Sequence, residues 1–203
     1  MNPTQPASSA APTRRHFLRL AAASPLLAKL PATPAYAHNS PGVVDPPLPA
    51  PPMALTRHDG RPSTLAALLQ GQVTALQLMF TGCTATCPIQ GAMFAAVQAG
   101  LVRQKQGGVQ LLSLSIDPLG DSPPALAAWL KKQGAGPHWR AAVPGVAGVD
   151  TLFDFLRGRS VEPDRHTAQV YLFSPRGQLL LRSTDFPAPE QVLGWLASAP
   201  RRS

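Results

Sequence analysis

The chain has 203 residues, 44% of them hydrophobic and 14% charged, with a formal net charge of +8. Its basic residues are scattered, without a dense block or interleaved aromatics, which argues against a nucleic-acid-binding protein. Two cysteines are too few for a disulfide scaffold. Twelve of the 24 prolines fall in residues 1–53, a composition that cannot build a core, so the predicted folded domain is 53–203.

The N-terminal segment has its own logic. Thr13-Arg14-Arg15-His16-Phe17-Leu18-Arg19 is basic, Leu20–Leu30 is an apolar run of 11 residues, and Ala35-Tyr36-Ala37 is a small-x-small cleavage signal. The run is too short to span a bilayer. The segment 1–37 resembles a twin-arginine export signal, a family read by an export translocase. Cleavage after Ala37 would remove Arg14, Arg15, Arg19 and Lys29 and no acid, taking the charge from +8 to +4. The implied location is the periplasm, with no stable transmembrane span after cleavage; an uncleaved signal would tether the protein. Residues 38–52 read as a Pro-rich linker.

Leu55–Pro62 reads as a hairpin turning at Asp59-Gly60. Thr64–Leu69 is a short helical turn with Ser63 or Thr64 as its cap. Val73–Phe80 is a buried strand, and Cys87-Pro88 opens a helix to about Gln104, with Met93, Phe94, Val97 and Leu101 as its apolar stripe. Val109–Ile116 is the next strand. Asp121 or Ser122 caps a helix through Leu130, and Val149–Leu156 is another. Ala168–Phe173 and Gln178–Arg182 form a hairpin, and Pro189–Ala197 closes the chain as a helix, with Trp195 in the core. Strand-helix-strand spacing predicts a parallel centre, and the late hairpin adds antiparallel strands. The predicted fold class is α/β: a central mixed β-sheet flanked by helices, with an N-terminal β-hairpin and a thioredoxin-like arrangement.

The two cysteines stand in Phe80-Thr81-Gly82-Cys83-Thr84-Ala85-Thr86-Cys87-Pro88, at the strand-to-helix junction. Four residues apart, Cys83 and Cys87 can close a disulfide or chelate a soft metal ion. A helix N-terminus favours a thiolate at Cys87. A structural staple of this span would constrain little chain entropy. Of the histidines in 53–203, His58 reads as a solvated turn residue and His138 as structural. His166, in Asp164-Arg165-His166-Thr167 before a strand, falls across from the cysteine loop in a thioredoxin-like sheet. Asp117, at the end of Val109–Ile116, reads either as a turn residue or as an outer partner for an imidazole N–H.

These segments, in order, resemble the Sco/SenC family. Leu55–Gly71 is similar to its opening hairpin and turn, and Val73–Pro88 to its strand followed by Cys-x-x-x-Cys-Pro. Ile116-Asp117-Pro118-Leu119-Gly120-Asp121-Ser122-Pro123 resembles its Asp-Pro segment, and His166–Gly177 its histidine, strand and turn. The resemblance implies a thioredoxin-like copper-binding protein that helps assemble the dinuclear copper site of cytochrome c oxidase. It implies Cys83, Cys87 and His166 as ligands for Cu(I) or Cu(II), with Asp117 behind the imidazole. The implied partners are an upstream copper donor and an oxidase subunit or another copper-site protein. The chain departs from the family in lacking a proline after Cys83, and in having an export signal where a membrane anchor is usual.

The alternative is a thiol–disulfide oxidoreductase that reduces a partner's cysteines, with Cys83 and Cys87 redox-active. Such enzymes usually carry Cys-x-x-Cys and a facing cis-proline; here the spacing is longer and Thr167 follows His166. A peroxidase would need the Pro-x-x-x-Thr-x-x-Cys segment, which is missing.

Overall fold

The computed structural model describes residues 41–161 and 164–200. The expected export signal, residues 1–37, lies outside them. In chain order the elements are β1 (Gly42–Pro49), β2 (Ala54–Arg57), β3 (Pro62–Thr64), α1 (Leu65–Leu69), β4 (Val73–Met79), α2 (Thr86–Arg103), β5 (Val109–Ser115), α3 (Pro123–Lys132), β6 (Trp139–Pro144), α4 (Val146–Leu156), β7 (Tyr171–Phe173), β8 (Gln178–Arg182) and α5 (Pro189–Ser198). The strands form one eight-stranded mixed sheet in the order β1-β8-β7-β4-β5-β6-β2-β3. β4, β5 and β6 are parallel, and the remaining pairs are antiparallel.

The parallel centre follows from the sequence of its strands. β4 and β5 are buried at every position, as expected where helices cover both faces. Alternate residues then serve opposite layers. Val73, Ala75 and Met79 join Phe94, Val97 and Leu101 of α2, Leu126 and Leu130 of α3, and Val192 and Leu196 of α5. Leu76 and Leu78 face the other way, with Leu65 and Leu69 of α1 and Leu152, Phe153 and Leu156 of α4. Trp139 locks the first layer edge-on against Phe94 and Trp129. Its indole N–H donates to Ser113 Oγ at 2.9 Å, so the buried ring leaves no orphan donor. Trp195, expected in the core, is only half-buried against this layer.

Three local readings change. Residues 42–49, expected within the linker, form β1 and pair antiparallel with β8, with a bulge between Val43 and Leu48. Prolines are tolerated there because β1 is an edge strand, whose outer N–H groups need no partner. Residues 139–144, not predicted as a definite strand, form β6 beside β5. His58 is half-buried, not solvated: its Nδ1 lies 3.1 Å from Ala141 O and 3.3 Å from Ala141 N, on β6.

Candidate metal centre

β4 and β7 run antiparallel, so the end of β4 and the start of β7 lie at one edge of the sheet. Cys83 follows β4 and His166 precedes β7, and the fold brings them together with Cys87. One ligand atom from each of Cys83, Cys87 and His166 lies within 4.8 Å of the others. All three side chains are buried, and both thiols are free.

The cysteine loop is shaped by the first turn of α2. An α-helix leaves its first N–H groups without partners, and the N-cap residue Ala85 has no side chain to offer. Cys83 Sγ fills one role, accepting from Cys87 N–H at 3.2 Å. Asp164, from the histidine loop, fills the next: its Oδ2 accepts from Thr86 N–H at 3.1 Å. Pro88 has no N–H to satisfy. Asp164 Oδ1 also accepts from Cys83 Sγ at 3.4 Å. One carboxylate therefore joins the helix start, the first sulfur and the histidine loop. The Thr86 hydrogen bonds, ahead of other causes, hold the Asp164 carboxyl below the usual carboxylate range.

His166 is held from both sides. Its Nδ1 lies 2.9 Å from Thr167 O. A carbonyl only accepts, so Nδ1 carries the proton and the Nε2 lone pair is left to face Cys87 Sγ at 3.6 Å. The edge of Phe80 meets the ring, with centroids 6.1 Å apart at 89°. Arg165 lies over Phe80, 5.5 Å from the ring centroid. Burial pushes the imidazole pKa below its ordinary value, so the ring is neutral at neutral pH. The backbone is fixed by an isolated bridge from His166 to Arg159 and by Thr167 N–H donating to Gly158 O at 2.9 Å. Below it, Thr167 Oγ1 and Tyr171 Oη are 2.8 Å apart, and Tyr171 Oη donates to Gln169 Oε1 at 3.2 Å.

Two sequence expectations are corrected. The imidazole N–H expected to meet Asp117 donates to Thr167 O instead, and Asp117 Oδ1 accepts from Gly120 N–H at 3.3 Å, within its own turn. The helix N-terminus does not favour a Cys87 thiolate. Burial, followed by the hydrogen bond with Cys83, pushes the Cys87 thiol well above its ordinary pKa, and the Cys87 N–H at the helix start donates to Cys83 Sγ instead.

Sequence reasoning also missed two carboxylates. Asp164 was visible beside His166 but read only as loop. Of the two cap candidates, Asp121 and Ser122, the cap is Ser122, which accepts from Ala125 N–H at 3.3 Å. Asp121 is buried and accepts from Thr81 N–H at 3.1 Å, from Thr81 Oγ1 and from Ser115 Oγ at 2.6 Å. It ties the ends of β4 and β5 just before the cysteines. The signal for this role was the Ser115/Asp121 spacing across a Pro-Leu-Gly turn.

Chemically, the trio offers two soft sulfurs and one imidazole, a donor set suited to Cu(I) and to Cu(II). Structural zinc normally takes four protein ligands.

Comparison with known proteins places this arrangement. The family model of SCO1/SenC matches residues 46–199. No curated protein matches the chain. Among solved structures, yeast Sco1 with copper bound is 20% identical, with 76% of this chain and 91% of that chain covered at a TM-score of 0.63. Bradyrhizobium japonicum ScoI with copper bound is 21% identical, covering 75% and 99% at a TM-score of 0.61. BsSco, described as a member of the Sco family of cytochrome c oxidase assembly proteins with a disulfide switch, is 20% identical, covering 79% and 95% at a TM-score of 0.64. At these identities the likeness establishes a shared fold, the thioredoxin-like sheet expected from the sequence.

Proposed function

This chain belongs to the SCO1/SenC family, and on that premise we propose that Cys83, Cys87 and His166 bind one copper ion and deliver it to a copper-site protein of a respiratory oxidase. The carrying observation is the convergence of the three ligand atoms within 4.8 Å, from segments some 80 residues apart in sequence. The copper-bound relatives, yeast Sco1 and Bradyrhizobium japonicum ScoI, support the choice of metal. The recipient is proposed as the dinuclear copper site of cytochrome c oxidase, in keeping with the description of BsSco. The Arg14-Arg15 segment supports an export route and a periplasmic setting.

The residues divide the work. His166 enters as a neutral donor, with Nδ1–H held by Thr167 and the Nε2 lone pair facing Cys87 Sγ. The sulfurs must lose their protons, and the Cys87 proton leaves reluctantly from its buried site. Copper binding therefore releases protons and strengthens as pH rises. Cys83, at 9% exposure, is the more open of the two cysteines, and Cys87, at 1%, the more enclosed. A partner's thiolate would reach the Cys83 side first and exchange ligands one at a time.

A second reading, a thiol–disulfide oxidoreductase acting on a partner's cysteines, is favoured by one observation: both sulfurs are free and adjacent. The raised pKa of Cys87 counts against it as an attacking thiol at neutral pH. The two readings part in an anaerobic copper titration of the reduced protein. We expect one copper per chain in wild type. In His166→Ala, Cu(II) binding should weaken by about a hundredfold or more, the range reached when a metal's surroundings are disturbed. Unchanged Cu(II) affinity in His166→Ala, together with fast disulfide exchange, would favour the oxidoreductase.

A further inference from the structure

We propose that Asp164 is a positioning residue whose negative charge loosens the site's hold on Cu(I) relative to Cu(II). This rests on the copper reading above and concerns a residue that the family resemblance did not single out.

Asp164 makes two contacts with the cysteine loop. Oδ2 accepts from Thr86 N–H at 3.1 Å, and Oδ1 accepts from Cys83 Sγ at 3.4 Å. The first contact depends only on an acceptor oxygen. The second changes character with the metal. In the metal-free protein, Cys83 S–H points a proton at the carboxylate, which is attractive. With copper bound, that proton has left for solvent, and a carboxylate oxygen faces a sulfur that carries negative charge.

The charge balance then separates the two oxidation states. Two thiolates, a neutral imidazole and Cu(I) sum to a net −1, and the same ligands with Cu(II) sum to zero. A neighbouring carboxylate repels the first assembly and is nearly indifferent to the second. Asp164 is only partly buried, so solvent screens the repulsion without abolishing it. Arg165, the adjacent cation, is engaged with the face of Phe80. Asp164 thus holds the metal-free cysteine loop in place and weakens the retained Cu(I) state, which suits a site that gives its ion away.

The test uses the reduced full chain as wild type, Asp164→Asn, Asp164→Glu and Asp164→Ala. Cu(I) affinity is read by competition with a chromophoric Cu(I) chelator, and the Cu(II)/Cu(I) midpoint potential by titration with mediators that supply the electron. Asp164→Asn keeps a carbonyl acceptor for Thr86 and removes the charge. It should bind Cu(I) about tenfold more tightly with little change for Cu(II), raising the midpoint by about 59 mV. Asp164→Glu, which restores the charge, should return both readouts toward wild type. A metal-free arm follows Thr86 amide exchange, which should quicken in Asp164→Ala but not in Asp164→Asn. Wild-type values of affinity and potential in Asp164→Asn would overturn the proposal while leaving copper binding intact. A wild-type protein that takes up no copper would sink the copper reading and this proposal with it; Thr86 exchange would still report whether the carboxylate clasps the helix.

Discussion

Residues 80–87 leave a strand buried along its whole length and run into an 18-residue helix. His166, in contrast, stands between a single bridge to Arg159 and a strand of three residues. The cysteine loop inherits its position from a central strand paired on both sides, since β4 pairs with β5 over seven positions and with β7 over three. The histidine loop depends on side-chain and turn contacts: Gly158, Thr167, Tyr171 and the reach of Asp164 across to Thr86. The sulfur half of the site is therefore set by the sheet, and the imidazole half is set by its neighbours. Local openings should be easier in the second half, because fewer cooperative contacts must break.

The largest effect should come from attacking the better-held half. In Asp121→Ala, Thr81 N–H, Thr81 Oγ1 and Ser115 Oγ lose their common acceptor. Buried donors left without a charged partner cost about 3 kcal/mol. Denaturant unfolding should show that loss, and amide exchange should quicken at Thr81 before Thr167. An unfolding curve that overlays wild type would mean that β4 alone fixes the loop.

A smaller effect should follow at the histidine half. A Cβ at Gly158 would come within 2.7 Å of Leu78 Cδ1 and Tyr171 Oη. Overpacking of this kind costs about 2 kcal/mol. In Gly158→Ala, Thr167 exchange should quicken while Thr81 stays protected, and Cu(II) binding should weaken more than Cu(I) binding. Equal acceleration at both amides would erase the distinction between the halves.

The smallest effect is in pH, and each half has its own limb. Burial lowers the folded pKa of His166, so the unfolded chain takes up a proton first as pH falls through about 6.5. Metal-free stability then declines on the acid side. Burial raises the folded pKa of Cys87, so the unfolded chain loses its proton first as pH climbs through about 8.5. Stability then declines on the alkaline side as well. Thermal melts across pH should show both limbs, with His166→Asn flattening the first and Cys87→Ala the second. A limb that survives its own variant belongs to other groups.

The same contrast explains what was legible in the sequence. Val73–Phe80 and Val109–Ile116 announce themselves as strands by their mainly apolar residues, and the two helix starts by paired cap candidates, Ser63 or Thr64 and Asp121 or Ser122, of which Thr64 and Ser122 serve, because each signal is local. The cysteine pair is legible for the same reason. His166 could be placed only through its likeness to a known arrangement. The carboxylates were not separable from sequence: Asp117 and Asp121 share one turn, and the way that turn folds back on Gly120 decides which of them points inward. Asp164 acts through a backbone N–H distant in sequence, for which no side-chain pattern exists. β1 was hidden by its prolines, since what makes 42–49 a strand is the register of β8. The expected Cys87 thiolate is disfavoured because burial is a property of the packed layer, which no local signal in the sequence reports.

The margins of the sheet carry a final consequence. Its two outermost strands are β1, with Pro46, Pro47 and Pro49, and β3, which begins at Pro62 and has only three residues. A foreign strand approaching either border would find missing donors or too short a ladder to dock along. Crowded copies of this protein are therefore discouraged from stacking border to border into fibrils, and the sheet stops growing where its own chain ends it.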